Sequence, residues 1–316
     1  MRPTLLLFAL LAGCGSAPSS PEASESAESS GPSIRFEQAP GRVDVFYGDA
    51  PLTAFHYEEK WDKPFLYPIV TPSGKTLSRG YPVADRPGEH TDHIWHRGIW
   101  FGHGEINGED FWREKGRDQT AVLVPAGEPT VQGNALSATL LMRTPQGKQL
   151  GSISETFAFG QEQDLRTIDA RIEVLADQGE ALTLGDTEDG GFAFRLSDAF
   201  REDMGGILRN AEGLHGADNI WGKPARWVDY SAMIDGGLAG VALFDHPRNL
   251  RHPTRWHARN YSLNAANPFG LGDFTGDESA DGSYTIPAGG TLTLQYRVVI
   301  YDGSPDLEAL YQGFAH

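Results

Sequence analysis

Leu165-Arg166-Thr167-Ile168-Asp169-Ala170-Arg171-Ile172-Glu173-Val174-Leu175 alternates apolar and polar side chains, with Ile168, Ala170, Ile172 and Val174 on one parity. This is the period of a β-strand with one face buried and one face wet. The same period runs through Arg42-Val43-Asp44-Val45-Phe46-Tyr47, residues 136–143 and Ile153-Ser154-Glu155-Thr156-Phe157-Ala158-Phe159. Further strands are expected over 191–196, 225–234, 241–244, 284–286 and 292–301. With 38 Gly and 20 Pro between them, the chain reads as all-β, an antiparallel two-sheet β-sandwich with a short C-terminal helix. In that helix Ser304 caps, Pro305 sits in the first turn, and Leu307, Leu310, Tyr311 and Phe314 share a face that covers an open end or edge of the sandwich. No repeat of roughly 20–50 residues is visible, which argues against propellers and solenoids.

Upstream, residues 1–13 hold Arg2, an apolar run over 5–11 and small residues before Cys14. That is the pattern of a secretory signal peptide, and it is too short to span a bilayer. Leu11-Ala12-Gly13-Cys14 resembles the lipobox of bacterial lipoproteins, in which the thiol is diacylated and becomes the new N-terminus. Cys14 is the only cysteine, so cysteine nucleophiles and thiolate metal sites are excluded. Residues 15–33 are mostly Ser, Pro, Glu, Ala and Gly, a composition too polar to form a core. The expected organisation is a signal peptide (1–13), a lipidated Cys with a disordered tether (14–33) and a single β-sandwich domain (34–316). The domain is then held in the cell envelope, periplasmic or on the outer-membrane face, by the N-terminal lipid alone.

Loss of residues 1–13 removes Arg2 alone among the charged side chains, so 26 basic residues become 25 against 43 acidic, a balance of −18. Such a surface repels nucleic-acid phosphates and anionic lipid, and no nucleic-acid partner is expected.

Seven of the ten histidines fall in two windows. The first, residues 90–112, carries His90, His93, His96 and His103 with Arg97, Glu105, Asn107, Asp110, Trp95, Trp100 and Trp112. Imidazoles titrate near neutrality, so His96 beside acids such as Glu105 and Asp110 is suited to general acid–base chemistry, and Arg97 to holding an anion. Trp100 and Trp112 offer flat platforms for a sugar ring. Glycines at 98, 102, 104 and 108 let backbone pass close to a ligand. Alternatively, His96, Arg97 and Asp110 form a satisfied polar network that pins a long loop. The spacing of His93, His96 and His103 also admits a metal, with further ligands from elsewhere.

The second window, residues 245–261, continues to Gly270. Alternation places Arg255, His257 and Arg259 on one strand face, which repels itself unless acids or an anionic ligand lie opposite. Glu105, Asp186 and Glu188 are the candidates, the latter two in an acidic stretch, Asp186-Thr187-Glu188-Asp189, between two expected strands. A further aromatic–polar patch, Asn219 to Pro224 with Trp227, Asp229 and Tyr230, reads as structural.

Several of these motifs resemble the bacterial proteins grouped as PmoA-like, over about residues 67–301. They are Gly80-Tyr81-Pro82, Asp92-His93, His96-Arg97-Gly98, Trp100-Phe101-Gly102-His103-Gly104, Asn107-Gly108, Asp110-Phe111-Trp112, Trp221-Gly222-Lys223, Asp245-His246-Pro247, Trp256-His257 and Asn267-Pro268-Phe269-Gly270. The family commonly has a second His before the position of His96, where this chain has Trp95, so a mechanism using adjacent histidines does not carry over. The methane-oxidation link in the name belongs to a multi-span membrane subunit and is set aside. The resemblance implies a supersandwich-like architecture similar to that of galactose mutarotases, and a glycan or sugar-derived ligand.

The expected function is therefore a carbohydrate-active lipoprotein acting on a sugar or oligosaccharide by hydrolysis, β-elimination or epimerisation. In that reading His96 and His257 transfer protons, Glu105 and Glu188 are partner acids, and Arg97 and Arg259 stabilise anions. His93, His103, Asn107, Asp110, Trp100, Trp112 and Asp186 contact the ligand. No cofactor is required. Two alternatives stand beside it: a non-catalytic glycan-binding lipoprotein, which a pH-independent affinity would favour, and a metal-dependent enzyme with His ligands.

Overall fold

Leu165–Leu175 is a strand over all 11 residues, with Ile168, Ala170, Ile172 and Val174 buried. The computed structural model that shows this describes residues 33–316 together with Met1, Pro3 and Thr4. The expected signal peptide, the lipidation at Cys14 and the tether lie outside the described residues, those three and Ser33 apart. The strand pairs antiparallel with Gln149–Glu162 on one side and Thr291–Asp302 on the other. It belongs to a nine-stranded sheet running Ile207–Asn210, Trp227–Ile234, Gly237–Asp245, Thr291–Asp302, Leu165–Leu175, Gln149–Glu162, Ala135–Arg143 and Val122–Pro125, with Thr130–Gln132 paired off that path.

The second sheet has eight strands in the order Ile34–Ala39, Arg42–Tyr47, Ala50–His56, Phe65–Leu66, Ile99–His103, Gly190–Arg195, Leu263–Asn267 and Arg255–Ala258. Its inner face meets the nine-stranded sheet in one apolar core. Phe192 of the smaller sheet stacks on Tyr296 of the larger at 5.2 Å and lies 6.5 Å from Phe157. Each such ring taken from water contributes about 1.5–3 kcal/mol. A short pair, Leu182–Leu184 with Tyr284–Ile286, stands apart. The architecture is thus the expected antiparallel β-sandwich.

Ile99–His103 and Leu263–Asn267, which the alternation does not mark as strands, are buried on both faces. Trp61, Val83, Trp95 and Trp112 pack over the outward side chains Trp100, Ala193, Leu263 and Ala265. The C-terminal helix, Leu307–Ala315, is capped by Asp306, whose carboxylate accepts from Ala309 N at 3.0 Å, rather than by Ser304. Leu307 and Tyr311 pack on Trp227, Ala242, Phe244, Val299 and Tyr301, so the helix covers the outer face of the nine-stranded sheet and not an open end. Among the described residues no helix is long and apolar enough to cross a membrane.

Candidate functional site

Four adjacent strands of the smaller sheet bring directly opposed residues into a row on its outer face: Trp100 opposite Ala193, Ala193 opposite Ala265, Ala265 opposite His257. Two small alanines between two large rings leave a hollow. Tyr261 and Trp95 pack into it from the flanking loops. The cleft that remains, ≈ 180 Å³, is lined by His93, Trp95, His96, Arg113, Glu188, Asp189, His257, Arg259 and Tyr261. Both histidine windows therefore meet at one place.

The segment carrying His93 and His96 is fixed by Arg79, whose side chain is fully buried. Its guanidinium donates to the carbonyls of Asp92 (2.7 Å), His93 (2.8 Å) and His96 (3.0 Å) and pairs with the Asp92 carboxylate. This holds His93 at φ +44°, a left-handed conformation that costs a non-glycine residue on the order of 1 kcal/mol. The rings then form a ladder. Tyr261 stacks on His93 at 5.6 Å, His93 on His96 at 4.9 Å, and His96 on Trp100 at 5.3 Å.

On the opposite wall, Arg259 Nε donates to His257 Nε2 at 2.9 Å and Arg259 Nη2 to Glu188 Oε2 at 2.8 Å. Asp189 pairs with Arg113, which Asp110 also holds at 3.2 Å. Burial raises the Asp189 carboxyl above the usual 3.8, an effect that Arg113 partly offsets. Burial, with the Arg259 charge adding to it, lowers His257 from 6.5 to about 3. Burial and then Arg195, whose Nη1 lies 3.5 Å from Nδ1, hold His96 well below 6.5. His96 and His257, expected to titrate near neutrality, are neutral instead.

The other expected site residues are placed elsewhere. Arg97 is buried in a fork with Glu114 against Trp61 and Phe65, a structural ion pair rather than an anion holder. Glu105 is exposed and lies against Gly185, away from the cleft. His103 shares the parity of Ile99 and Phe101 and therefore faces the core, its Nε2 3.0 Å from the Gly185 carbonyl. Asn107 ties its turn to Ala181 and Thr183. Asp110 accepts from the backbone N–H of Trp112 and Arg113, so it positions Arg113 and does not line the cleft. Asp186 accepts from Gly272 and Gly282 N–H. Trp100 and Trp112 are 1% and 0% exposed and have no surface for a sugar.

The glycines at 98, 102 and 104 approach the chain itself. A Cβ on Gly98, at φ +50°, would lie 1.9 Å from the Leu66 carbonyl. Arg113, Asp189, Trp95 and Tyr261 complete the site beyond the expected set; Asp189, Trp95 and Tyr261 lay within the quoted stretches, whereas nothing local marks Arg113 or Arg79.

His93, His96 and His103 do not converge on a metal, because His103 is on the opposite face of the sheet from the other two. Glu188, Asp189 and His257 do bring ligand atoms within 4.8 Å of one another. Arg259 always carries its Nε proton, so His257 Nε2 must accept. The neutral imidazole then bears its proton on Nδ1, the atom 3.8 Å from Asp189 Oδ1. A protonated nitrogen has no lone pair for a metal, and this trio does not fit one.

Fold and site together define an antiparallel β-sandwich with a His–Arg–carboxylate cleft on the outer face of one sheet. The chain belongs to the Family of unknown function (DUF6807), which matches residues 42–315. Among solved structures, the galactose mutarotase related enzyme from Lactobacillus acidophilus is 9% identical, covering 86% of this chain and 97% of its own, with a TM-score of 0.36. The alpha-galactosidase from Lactobacillus brevis is 10% identical over 85% of this chain, with a TM-score of 0.34, and the match spans 39% of its length. No curated protein matches the chain.

Proposed function

We propose that the chain is a carbohydrate-active protein that performs acid–base chemistry on a sugar or oligosaccharide in the cleft between the two histidine windows. The observation that carries this reading is the run Asp189–His257–Arg259–Glu188 beside Trp95 and Tyr261. It sets N–H donors and carboxylate acceptors side by side, as hydroxyls that both donate and accept require. The two aromatic residues supply apolar walls. Asp189, which burial shifts upward against the pull of Arg113, and Glu188, held in an ion pair by Arg259, are the two carboxyls assigned to proton transfer. His96 and His257 act as neutral hydrogen-bonding groups that orient the ring. The PmoA-like motifs and the lipobox-like Leu11–Cys14 fit this work in a lipid-anchored protein of the cell envelope.

Thermal shift of the full chain against a sugar and oligosaccharide panel, followed by product analysis by NMR, tests the reading. A sugar that stabilises wild type but not Glu188→Gln or His257→Ala, and is converted only when Asp189 and Glu188 are intact, is the expected result. Stabilisation unaffected by both substitutions removes the cleft from consideration. Stabilisation without conversion of any panel member leaves glycan binding without catalysis.

A further inference from the structure

The cleft has a neighbour across Arg259 and Tyr261. Arg259 and Tyr261 also line a second hollow of ≈ 310 Å³, together with Asp218, Trp221 and Asn260. The two residues are therefore a shared wall. The Arg259 guanidinium lies 5.4 Å from the centroid of the Trp221 ring while its nitrogens reach His257 and Glu188. The Trp221 ring is itself fixed edge-on by Phe274 at 5.4 Å, so it is a preformed surface. Asp218 and Asn260 are exposed at the rim. Alone, the first cleft falls below the roughly 300–1,000 Å³ of small-ligand sites; the two spaces together fall within that range.

We propose that the cleft and the hollow are two consecutive sugar-binding positions, with Trp221 the stacking wall of the second, so that the ligand is an oligosaccharide of at least two residues and not a free monosaccharide. This rests on the sugar reading above. A chain crossing from one position to the other passes over Arg259 and Tyr261, which places its inter-residue linkage beside Glu188. Asp218 and Asn260 then meet hydroxyls of the outer residue.

Calorimetric titration of the full chain with glucose, galactose, xylose and glucuronic acid, and with their β-1,4-linked disaccharides, tests this. A disaccharide is expected to bind about tenfold more tightly than its monosaccharide, the scale of one stacked ring. Trp221→Ala and the exposed Asp218→Ala are each expected to weaken the disaccharide several-fold more than the monosaccharide; Asp218→Ala keeps the test valid if the tryptophan variant folds poorly. Equal affinities in wild type, or ratios unmoved by both substitutions, overturn the second position while the sugar reading stands. Failure of every mono- and disaccharide to bind overturns the sugar reading, and this inference with it.

Discussion

Arg259 Nε lies 2.9 Å from His257 Nε2, and a guanidinium in that position can only donate. It fixes the tautomer of the imidazole and opposes its protonation. Arg195 stands in the same relation to His96 Nδ1 at 3.5 Å. In the proposed reaction His257 and His96 are therefore neutral groups oriented by arginines, and proton transfer falls to carboxyls.

With His257 lowered to about 3 and His96 well below 6.5, neither changes charge between pH 5 and 8, so the pH–rate profile has no inflection near 6.5. Turnover is instead expected to change where Asp189 titrates, above the usual 3.8. Arg259→Met removes the second-largest cause that lowers His257, and its profile gains an inflection shifted toward 6.5. Because the imidazoles are neutral, pH-independent affinity no longer separates binding from catalysis. A wild-type inflection at 6.5 contradicts this assignment.

Arg79→Lys replaces a planar fork with a point charge that cannot serve three carbonyls and a carboxylate at once. The expected loss is about 2–3 kcal/mol of stability, measured by denaturant unfolding, together with loss of sugar-induced thermal stabilisation as the His93–His96 segment relaxes. Unchanged ligand stabilisation would show that the clamp does not shape the cleft.

Arg97→Ala leaves Glu114, 9% exposed, with Lys63 as its one remaining partner from the buried triad. Breaking a buried pair costs on the order of 3 kcal/mol, read as a lower midpoint in urea. A variant of normal stability that has lost sugar binding would return Arg97 to the functional set.

Glu155 shares the inward parity of Ile153 and Phe157 and is 2% exposed, and burial raises its carboxyl from 4.5 to about 8. The folded state therefore holds the proton more tightly than the unfolded one. Its contribution to stability is full below pH 4.5 and is lost as pH rises toward 8. Glu155→Gln is expected to gain on the order of 4 kcal/mol relative to wild type between pH 4.5 and 8, measured as the difference in unfolding free energy at the two pH values. A pH-independent difference contradicts burial of an uncompensated carboxyl.

Period-two patterning located the strands well where one face is exposed. Arg42–Tyr47, Leu165–Leu175 and Tyr284–Ile286 have the bounds that alternation predicts. It was silent along Ile99–His103, where both faces are covered and no polar residue is needed to mark an outer face packed under Trp61 and Trp112. The clustering of histidines pointed to the cleft, and parity placed His257 on its outer face. Parity also puts His103 inside, which local composition does not reveal. Arg97, Trp100 and Trp112 carry the right chemistry for a ligand, but their partners Glu114 and His96 lie across loops whose packing only the tertiary structure shows. Arg79, 17 residues before His96, is legible only through the carbonyls it binds.

A crystal structure of the full chain with the disaccharide that stabilises it most addresses the central claim directly. Sugar density is expected over Arg259 and Tyr261, with hydroxyls in hydrogen-bond reach of Glu188, Asp189 and His257. Density confined to another hollow, such as the one beside Tyr57, Trp61 and Arg117, with the histidine cleft empty, would contradict it.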